Sequence, residues 1–255
     1  HYFGSSELYA KGDDWYLRHF DGLDASKLIG EASTTYFYDR VPYWHNASDE
    51  LQHDDTLSTI PELILKRYPD AKFIVVLRDP VYRAISAYMH WMKKGKLSPA
   101  LGLEKVACDY PKMRILEYGY YARYLEMWQR FVDPDRFHIV IFEDQIKKNS
   151  EQTLTELYRF LDLDQSFKPE LPKRAVNKSW TWTRIVFNYY AGKIYPGAGN
   201  TFLGRVCGQF DVLAKAALSR RDIEFLRSVY LPEKDKLQAL TGNPLTSWDY
   251  GERLL

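Results

Sequence analysis

The stretch Lys72–Tyr88, KFIVVLRDPVYRAISAY, decides the predicted fold. Phe73–Leu77 is a short apolar run rich in β-branched side chains, a pattern typical of a buried parallel strand. Arg78 and Asp79 end this run, and Pro80 stands where a helix would begin, so we predict a helix that continues to about residue 93. A strand that leads directly into a helix indicates an α/β unit.

The same alternation of strand and helix patterns continues along the chain. Residues 137–142 form a second apolar run that predicts a buried strand, and Leu28-Ile29 is a candidate for a short third strand. Helices are predicted for residues 58–68, 115–131 and 153–161, and for a segment that begins after a Ser219 cap with Asp222 three residues later. We therefore expect one α/β domain over residues 1–255, with a parallel sheet covered by helices on both faces. The glycine-rich residues 191–208 are interpreted as an excursion between helices, either a lid or a plain surface loop.

The carboxyl end of the first strand is the candidate binding site, because ligands of open α/β sheets bind there. The Arg78 guanidinium can bind a phosphate through two hydrogen bonds, and a helix opened by Pro80 offers free N–H groups. Ser86, two turns into that helix, would add a hydroxyl donor. The alternative is structural: Arg78 pairs with a carboxylate such as Asp79, and Ser86 is a small packing residue.

Composition narrows the classes of partner. The formal net charge is +1, so no global field recruits nucleic acid or an anionic membrane, and no apolar run approaches the length of a membrane span. The two cysteines, Cys108 and Cys207, and the six histidines show no metal-ligand spacing, so we expect no metal site.

The run Lys72–Tyr88 resembles the 3′-phosphate-binding segment of sulfotransferases that use 3′-phosphoadenosine-5′-phosphosulfate (PAPS) as the sulfuryl donor. Further segments are similar to that family in the same order along the chain. They are His1-Tyr2-Phe3 with residues 12–17 ("KExHFF…GLxWYxxxF"), residues 30–37 ("GEASPxY"), residues 119–128 ("GxYAxxLExW"), Phe142-Glu143-Asp144 with residues 160–163 ("xxEDL…FLGL"), residues 176–179 ("(V/F)NxS") and residues 237–248 ("LxxLTGxxLxxW").

The resemblance implies a three-layer fold like that of P-loop NTPases, with a central parallel sheet flanked by helices. It implies PAPS as co-substrate, its desulfated form PAP as product, and no metal. On the matching positions, Arg78 and Ser86 would hold the 3′-phosphate. Residues Asn177, Lys178 and Ser179 would close over the nucleotide, and Trp182 or Trp180 would stack on adenine. The alternative for this last segment is a turn with two aromatic core anchors.

The resemblance also implies the catalytic residues. His1 matches the family's histidine and can share the role of base, and Glu31 would orient a base or contact the acceptor, unless it is a structural carboxylate. The family's acidic base lies two places before this histidine, and its first strand and 5′-phosphosulfate loop lie further upstream. We therefore expect the chain to be a fragment that lacks them. Ala32 stands where heparan sulfate enzymes carry lysine, which favours a bacterial-type relative.

The resemblance predicts sulfuryl transfer to a hydroxyl or amine of a carbohydrate or another metabolite. Acceptor contacts would come from residues 1–17, 33–44 and 93–111. The alternatives are a nucleotide-dependent kinase, for which neither a Gly-rich loop with Lys-Ser/Thr nor a metal-binding aspartate is visible, and a non-catalytic nucleotide- or glycan-binding module. A cytoplasmic location is favoured, and the Golgi lumen is the alternative if a membrane anchor lies upstream.

Overall fold

A computed structural model of the chain describes residues 1–24, 26–38, 58–169, 180–209 and 218–255. In chain order its elements are α1 (Ser6–Tyr9), α2 (Asp13–Leu17), α3 (Ile60–Arg67), β1 (Phe73–Leu77), α4 (Pro80–Lys93), α5 (Leu103–Asp109), α6 (Tyr121–Gln129), β2 (Phe137–Ile141), α7 (Ser150–Phe160), α8 (Trp182–Ala191), α9 (Phe202–Cys207), α10 (Arg220–Tyr230) and α11 (Lys234–Thr241). Short 3₁₀ turns and one π-helical turn at Phe142–Ile146 join several of them.

The two predicted strands of the central sheet are confirmed. β1 and β2 pair in parallel, with Phe73 opposite Phe137 and Leu77 opposite Ile141. The carboxyl ends of both strands therefore meet at one edge of the sheet. Leu77 and Ile141 are each 1% exposed and join the main core, which α4 and α6 cover.

The sheet is the middle of three layers, as the α/β prediction requires. On the face opposite α4 and α6, α7 packs over β2, where the Phe160 ring lies 5.0 Å from the His138 ring. The part of this face that belongs to β1 is open, because Ile74 and Val76 are 42% and 50% exposed. The expected sheet flanked by helices is confirmed, and within the part of the chain that the structure describes its second face is covered at β2 and exposed at Ile74 and Val76 of β1. Side chains alternate along a strand, so Ile74 and Val76 point to this face and away from the main core.

The helix predicted for residues 115–131 is shorter than its sequence periodicity indicates. α6 begins at Tyr121, and Glu117–Gly119 forms a separate 3₁₀ turn before it. Tyr118, within this 3₁₀ turn, stacks on Tyr38, with ring centroids 3.8 Å apart. The turn is set by packing, since Gly119 lies directly against the ring of Tyr230 on α10.

Substituting Gly119 with alanine should destabilise the fold. A Cβ at this position would lie 2.5 Å from the Tyr230 ring, which is 2% exposed and donates a hydrogen bond from its hydroxyl to Leu116 O at 2.9 Å. Because the ring cannot move freely, overpacking should lower the free energy of unfolding by about 2 kcal/mol. Urea unfolding measures this loss. Gly30→Ala is the control, since its Cβ would meet no described atom within 4 Å and should change stability little.

Two further predictions of local structure have different outcomes. The Ser219 cap is confirmed as a capping box, with Ser219 Oγ accepting from the Asp222 main chain and Asp222 accepting from the Ser219 main chain. The third strand at Leu28-Ile29 is wrong: both residues lie outside regular secondary structure and are 62% and 44% exposed. Two apolar residues in sequence do not form a strand unless a neighbouring strand is present to pair with them.

Candidate functional site

Arg78 lies at the carboxyl edge of the sheet, as predicted. It follows the last residue of β1, and its guanidinium is 5.7 Å from the centre of the Phe142 ring, which follows the last residue of β2. Its nearest recorded carboxylate is Glu143, with Nε and Oε1 3.8 Å apart, which is longer than a hydrogen bond. The Arg78 side chain is 42% exposed, whereas its Nε is buried and has no hydrogen-bond partner within the described residues. The site therefore presents a cation whose hydrogen-bonding capacity is not saturated.

Asp79 caps the helix that follows Arg78. Its carboxylate accepts from the main-chain nitrogens of Val81 (2.9 Å) and Tyr82 (3.4 Å), and from that of Tyr250 (2.8 Å). Burial of this side chain, which is 1% exposed, raises the pKa of Asp79 to about 6, against the lowering effect of these three donors. The expectation of free N–H groups at this helix start is therefore wrong at Val81 and Tyr82, because a side chain of the same motif already satisfies them.

The C-terminal segment closes against the same edge of the sheet. Trp248 Nε1 donates to Glu143 Oε2 at 2.8 Å, and Ser247 donates to Asp144 Oδ2 at 2.5 Å. Glu143 also accepts from the main-chain nitrogen of Asp79 at 3.3 Å. Sequence reasoning placed Glu143 and Trp248 in family-like segments without assigning them a role. The structure shows that they join β2, α4 and the C-terminus around Arg78.

Ser86 lies on α4, and its side chain is exposed. Within the described residues its hydroxyl makes no recorded hydrogen bond. The neighbouring Arg83 has a different role: its guanidinium donates to Ile115 O and lies 3.4 Å from the Tyr230 hydroxyl, in the core. Ser86 is therefore accessible to a ligand, and its part in phosphate binding stays a prediction.

His1 is held in a small polar cluster. Its ring Nδ1 lies 2.7 Å from Ser33 Oγ and 3.1 Å from Thr35 Oγ1. Gly4 permits this approach, because a Cβ there would lie 2.8 Å from Thr35 Oγ1. The two hydroxyls orient the imidazole ring through Nδ1, so its other nitrogen is the one left for a reacting group.

Glu31 belongs to the same cluster as His1. Its carboxylate accepts from the hydroxyls of Tyr16 (2.7 Å) and Tyr36 (2.6 Å), and Oε1 lies 3.7 Å from the main-chain nitrogen of His1. Burial and the adjacent Glu31 charge raise the pKa of both tyrosines, so both remain proton donors to this carboxylate. The structure thus brings His1 and Glu31 together. Sequence reasoning quoted Tyr16 and Tyr36 in family-like segments but missed that they fix Glu31.

The two tryptophans that follow the predicted nucleotide contacts at residues 177–179 differ in accessibility. Trp182 is 4% exposed, and its ring lies parallel to that of Tyr88 with centroids 6.4 Å apart, in the core. This burial gives no support to adenine stacking by Trp182. Trp180 is half-buried, with the Arg184 guanidinium 4.0 Å from its ring centre. The predicted cofactor residues Asn177, Lys178 and Ser179 lie outside the described residues.

An open cleft of about 620 Å³ lies between α5 and the start of α10. It is lined in part by Leu101, Lys105 and Cys108, which belong to a segment predicted to contact the acceptor, and by Arg221 of α10. Over the described ranges, no group of three or more His, Cys, Asp or Glu side chains is arranged to hold a metal ion. No helix in those ranges has the length and apolarity needed to cross a bilayer.

The sequence is similar to known sulfotransferases. A family model described as "Sulfotransferase family" matches residues 14–168. Heparan sulfate glucosamine 3-O-sulfotransferase 5 of Mus musculus is 26% identical over 261 residues, which cover 96% of this chain and 64% of that protein. Carbohydrate sulfotransferase 15 of Homo sapiens is 28% identical over 163 residues, covering 53% of this chain and 28% of that protein. The chain thus spans just under two thirds of the first relative's length.

The fold is similar to that of a solved sulfotransferase from Alicyclobacillus acidocaldarius. The TM-score is 0.61 at 20% sequence identity, and the match covers 93% of this chain and 74% of the other. This agreement concerns the fold, and it extends well beyond the residues that the family model matches.

Proposed function

This chain belongs to the sulfotransferase family, and on that premise we propose that it takes part in moving a sulfuryl group from PAPS to a hydroxyl or amine of a carbohydrate. The observation that carries the proposal is Arg78, a half-exposed cation at the carboxyl edge of a parallel sheet, with a buried Nε that has no partner within the described residues. Such edges are where nucleotides bind in α/β folds.

The residues at this edge fit a nucleotide phosphate. Arg78 would bind the 3′-phosphate through charge-assisted hydrogen bonds, and the exposed Ser86 would add a neutral donor. Trp248 and the main chain of Asp79 both donate to Glu143, which holds that carboxylate beside Arg78 without saturating the guanidinium. Asn177, Lys178 and Ser179 remain proposed as nucleotide contacts, and PAPS, when bound, supplies the sulfuryl group.

The cluster around His1 is proposed to handle the acceptor. Ser33 and Thr35 hold the ring at Nδ1, which leaves the second ring nitrogen to take a proton from the acceptor hydroxyl or amine. Glu31, fixed by two phenol hydroxyls, places a carboxylate oxygen 3.7 Å from the main-chain nitrogen of His1. Positioning and electrostatics of this kind supply most of the catalysis in the related phosphoryl transfers.

A carbohydrate is the acceptor class we propose, because the relatives that match the chain are named for heparan sulfate and carbohydrate sulfation. The matches name sulfotransferases and give no support to the kinase alternative. The non-catalytic module is separated from the enzyme by experiment. A cytoplasmic location stays a prediction.

The test is transfer of radiolabelled sulfate from PAPS to a panel of glycans by the full-length protein. We expect labelled glycan, and we expect His1→Ala to lower the transfer rate by about 100-fold while PAP affinity stays unchanged, since a positioned acid or base contributes about that much. His19→Ala is the matched control, because His19 is exposed and its ring Nδ1 bonds only to main-chain oxygens of its own helical segment. Binding of PAP without any transfer would instead identify a non-catalytic module.

A further inference from the structure

The two most exposed large apolar side chains of the described residues, Ile194 and Phe202, lie in one short connection together with three further exposed apolar residues. We define the apolar tip as Tyr190, Ile194, Tyr195, Phe202 and Leu203, which lie at the end of α8, in the loop after it and at the start of α9. Their exposed fractions are 52%, 91%, 64%, 84% and 59%. Ile194 and Phe202 exceed every other large hydrophobic residue recorded as exposed. Clustered exposure of this kind marks an interaction site, whereas single exposed apolar residues are ordinary.

The tip is supported by a closely packed segment, residues 195–204, which we call its base. Ala198 N donates to Tyr195 O (3.1 Å), and Ala198 O accepts from Thr201 N (3.1 Å), so two successive turns bring Tyr195 close to the start of α9. Gly204 packs onto this base, because a Cβ there would lie 2.5 Å from Ala198 O.

The base is also bonded to the rest of the domain. Asn188 accepts from Gly199 N (2.8 Å) and donates to Lys93 O (3.1 Å), and Arg184 Nε donates to Gly199 O (2.8 Å). These bonds tie the loop to α8 and to the end of α4. The tip is therefore a supported surface, and its exposure does not result from a lack of packing beneath it.

The charged residues of the described segment that carries the tip all have one sign. Residues 180–209 contain Arg184, Lys193 and Arg205 and no acidic residue, although the chain as a whole has a formal net charge of only +1. Lys193 Nζ lies 4.9 Å from the ring centre of Tyr189 and 5.7 Å from that of Tyr190. Burial and the nearby Arg205 charge lower the pKa of Arg184, so an anion at this surface would relieve repulsion between the two guanidinium groups.

From this arrangement we propose that the apolar tip docks onto an anionic lipid bilayer surface. Ile194, Phe202 and Leu203 would enter the boundary between headgroups and acyl chains, the tyrosines would lie at headgroup level, and the cations would meet anionic headgroups. A second copy of the chain is disfavoured, because the same cations would face each other across a symmetric interface. A polyanionic glycan would bind the cations but would gain little from Ile194 and Phe202.

The experiment uses the full chain and vesicles of phosphatidylcholine with or without phosphatidylserine. Cosedimentation should show binding to the vesicles with about 30% phosphatidylserine, weaker binding to the neutral ones, and a loss of binding in high salt. Ile194→Ser combined with Phe202→Ser should lower the partition coefficient by about tenfold or more, since two apolar side chains no longer enter the lipid. Lys193→Gln combined with Arg205→Gln should remove most of the preference for anionic vesicles.

Leu28→Ser combined with Phe167→Ser is the matched control, because both residues are 62% exposed and lie outside the tip. This control should bind vesicles like the unchanged chain, and thermal melting should show that all variants remain folded. Absence of vesicle binding by the unchanged chain would overturn the proposal. So would vesicle binding that the tip variants leave intact, self-association through the tip without lipid, or tip-dependent binding to a soluble sulfated glycan without vesicle binding.

Discussion

Arg78→Ala should weaken PAP binding by about 2 kcal/mol or more, which is roughly a 30-fold rise in Kd. The Arg78 guanidinium lies at the carboxyl edge of the parallel sheet, 42% exposed, and the nearest recorded carboxylate is 3.8 Å from its Nε. Its loss would remove a charged donor from the predicted 3′-phosphate site without breaking a short ion pair. Titration calorimetry with PAP measures the change.

Two further variants test whether the loss of PAP affinity is specific to the guanidinium at position 78. Arg78→Lys should recover part of the affinity, because lysine keeps the charge but loses the two-pronged geometry that suits a phosphate. Arg220→Ala should leave PAP binding unchanged, since Arg220 is 73% exposed and pairs with Glu224 on its own helix. An equal PAP affinity for the unchanged chain and a folded Arg78→Ala variant would refute the nucleotide site.

Asp79→Ala should lower the free energy of unfolding by about 3 kcal/mol, because it removes a helix cap and leaves buried N–H groups without acceptors. The three donors to this carboxylate belong to Val81, Tyr82 and Tyr250, and the Val81 and Tyr250 residues are 0% and 2% exposed. Urea unfolding measures the loss. Asp14→Ala is the control: Asp14 is an exposed acidic residue in the first turn of α2, and its removal should cost less than about 0.5 kcal/mol.

The pH dependence of the free energy of unfolding tests whether Asp79 holds its proton more tightly in the folded chain than in the unfolded chain. Burial raises the pKa of Asp79 from 3.8 to about 6, so the folded chain holds this proton at pH values where the unfolded chain has released it. Stability should therefore fall, relative to an Asp79→Asn variant, as the pH rises from about 4 to about 6. A constant difference between the two unfolding free energies across this window would show that Asp79 ionises normally.

Local patterns were sufficient for the elements around the proposed nucleotide site. The run Phe73–Leu77 and the proline after it predicted β1 and the full extent of α4, Pro80–Lys93. The helix cap at Ser219 was likewise predicted from the sequence. Each of these features depends on residues within a few positions of one another, so that the sequence window contains the interactions that stabilise it.

The late start of α6 has the opposite cause, a contact between distant segments of the chain. The start of α6 is set by Tyr230, more than a hundred positions away, whose ring packs against Gly119. By contrast, Asp79 accepts from Val81 N and Tyr82 N only two and three positions away, and only its hydrogen bond from Tyr250 N comes from a distant segment. No periodicity within the helix itself reports such contacts.

By itself, the sequence determined the strand that ends just before Arg78, the helix that follows it and the resemblance that the family match supports. Only the tertiary structure decided that two phenols clamp Glu31 beside His1, that Trp182 lies in the core, and that five apolar side chains of one connection stand in solvent. The physical reason is that the backbone pattern of strand and helix follows local order in the chain, whereas side-chain partners and exposure depend on which distant segments the folded chain brings into contact.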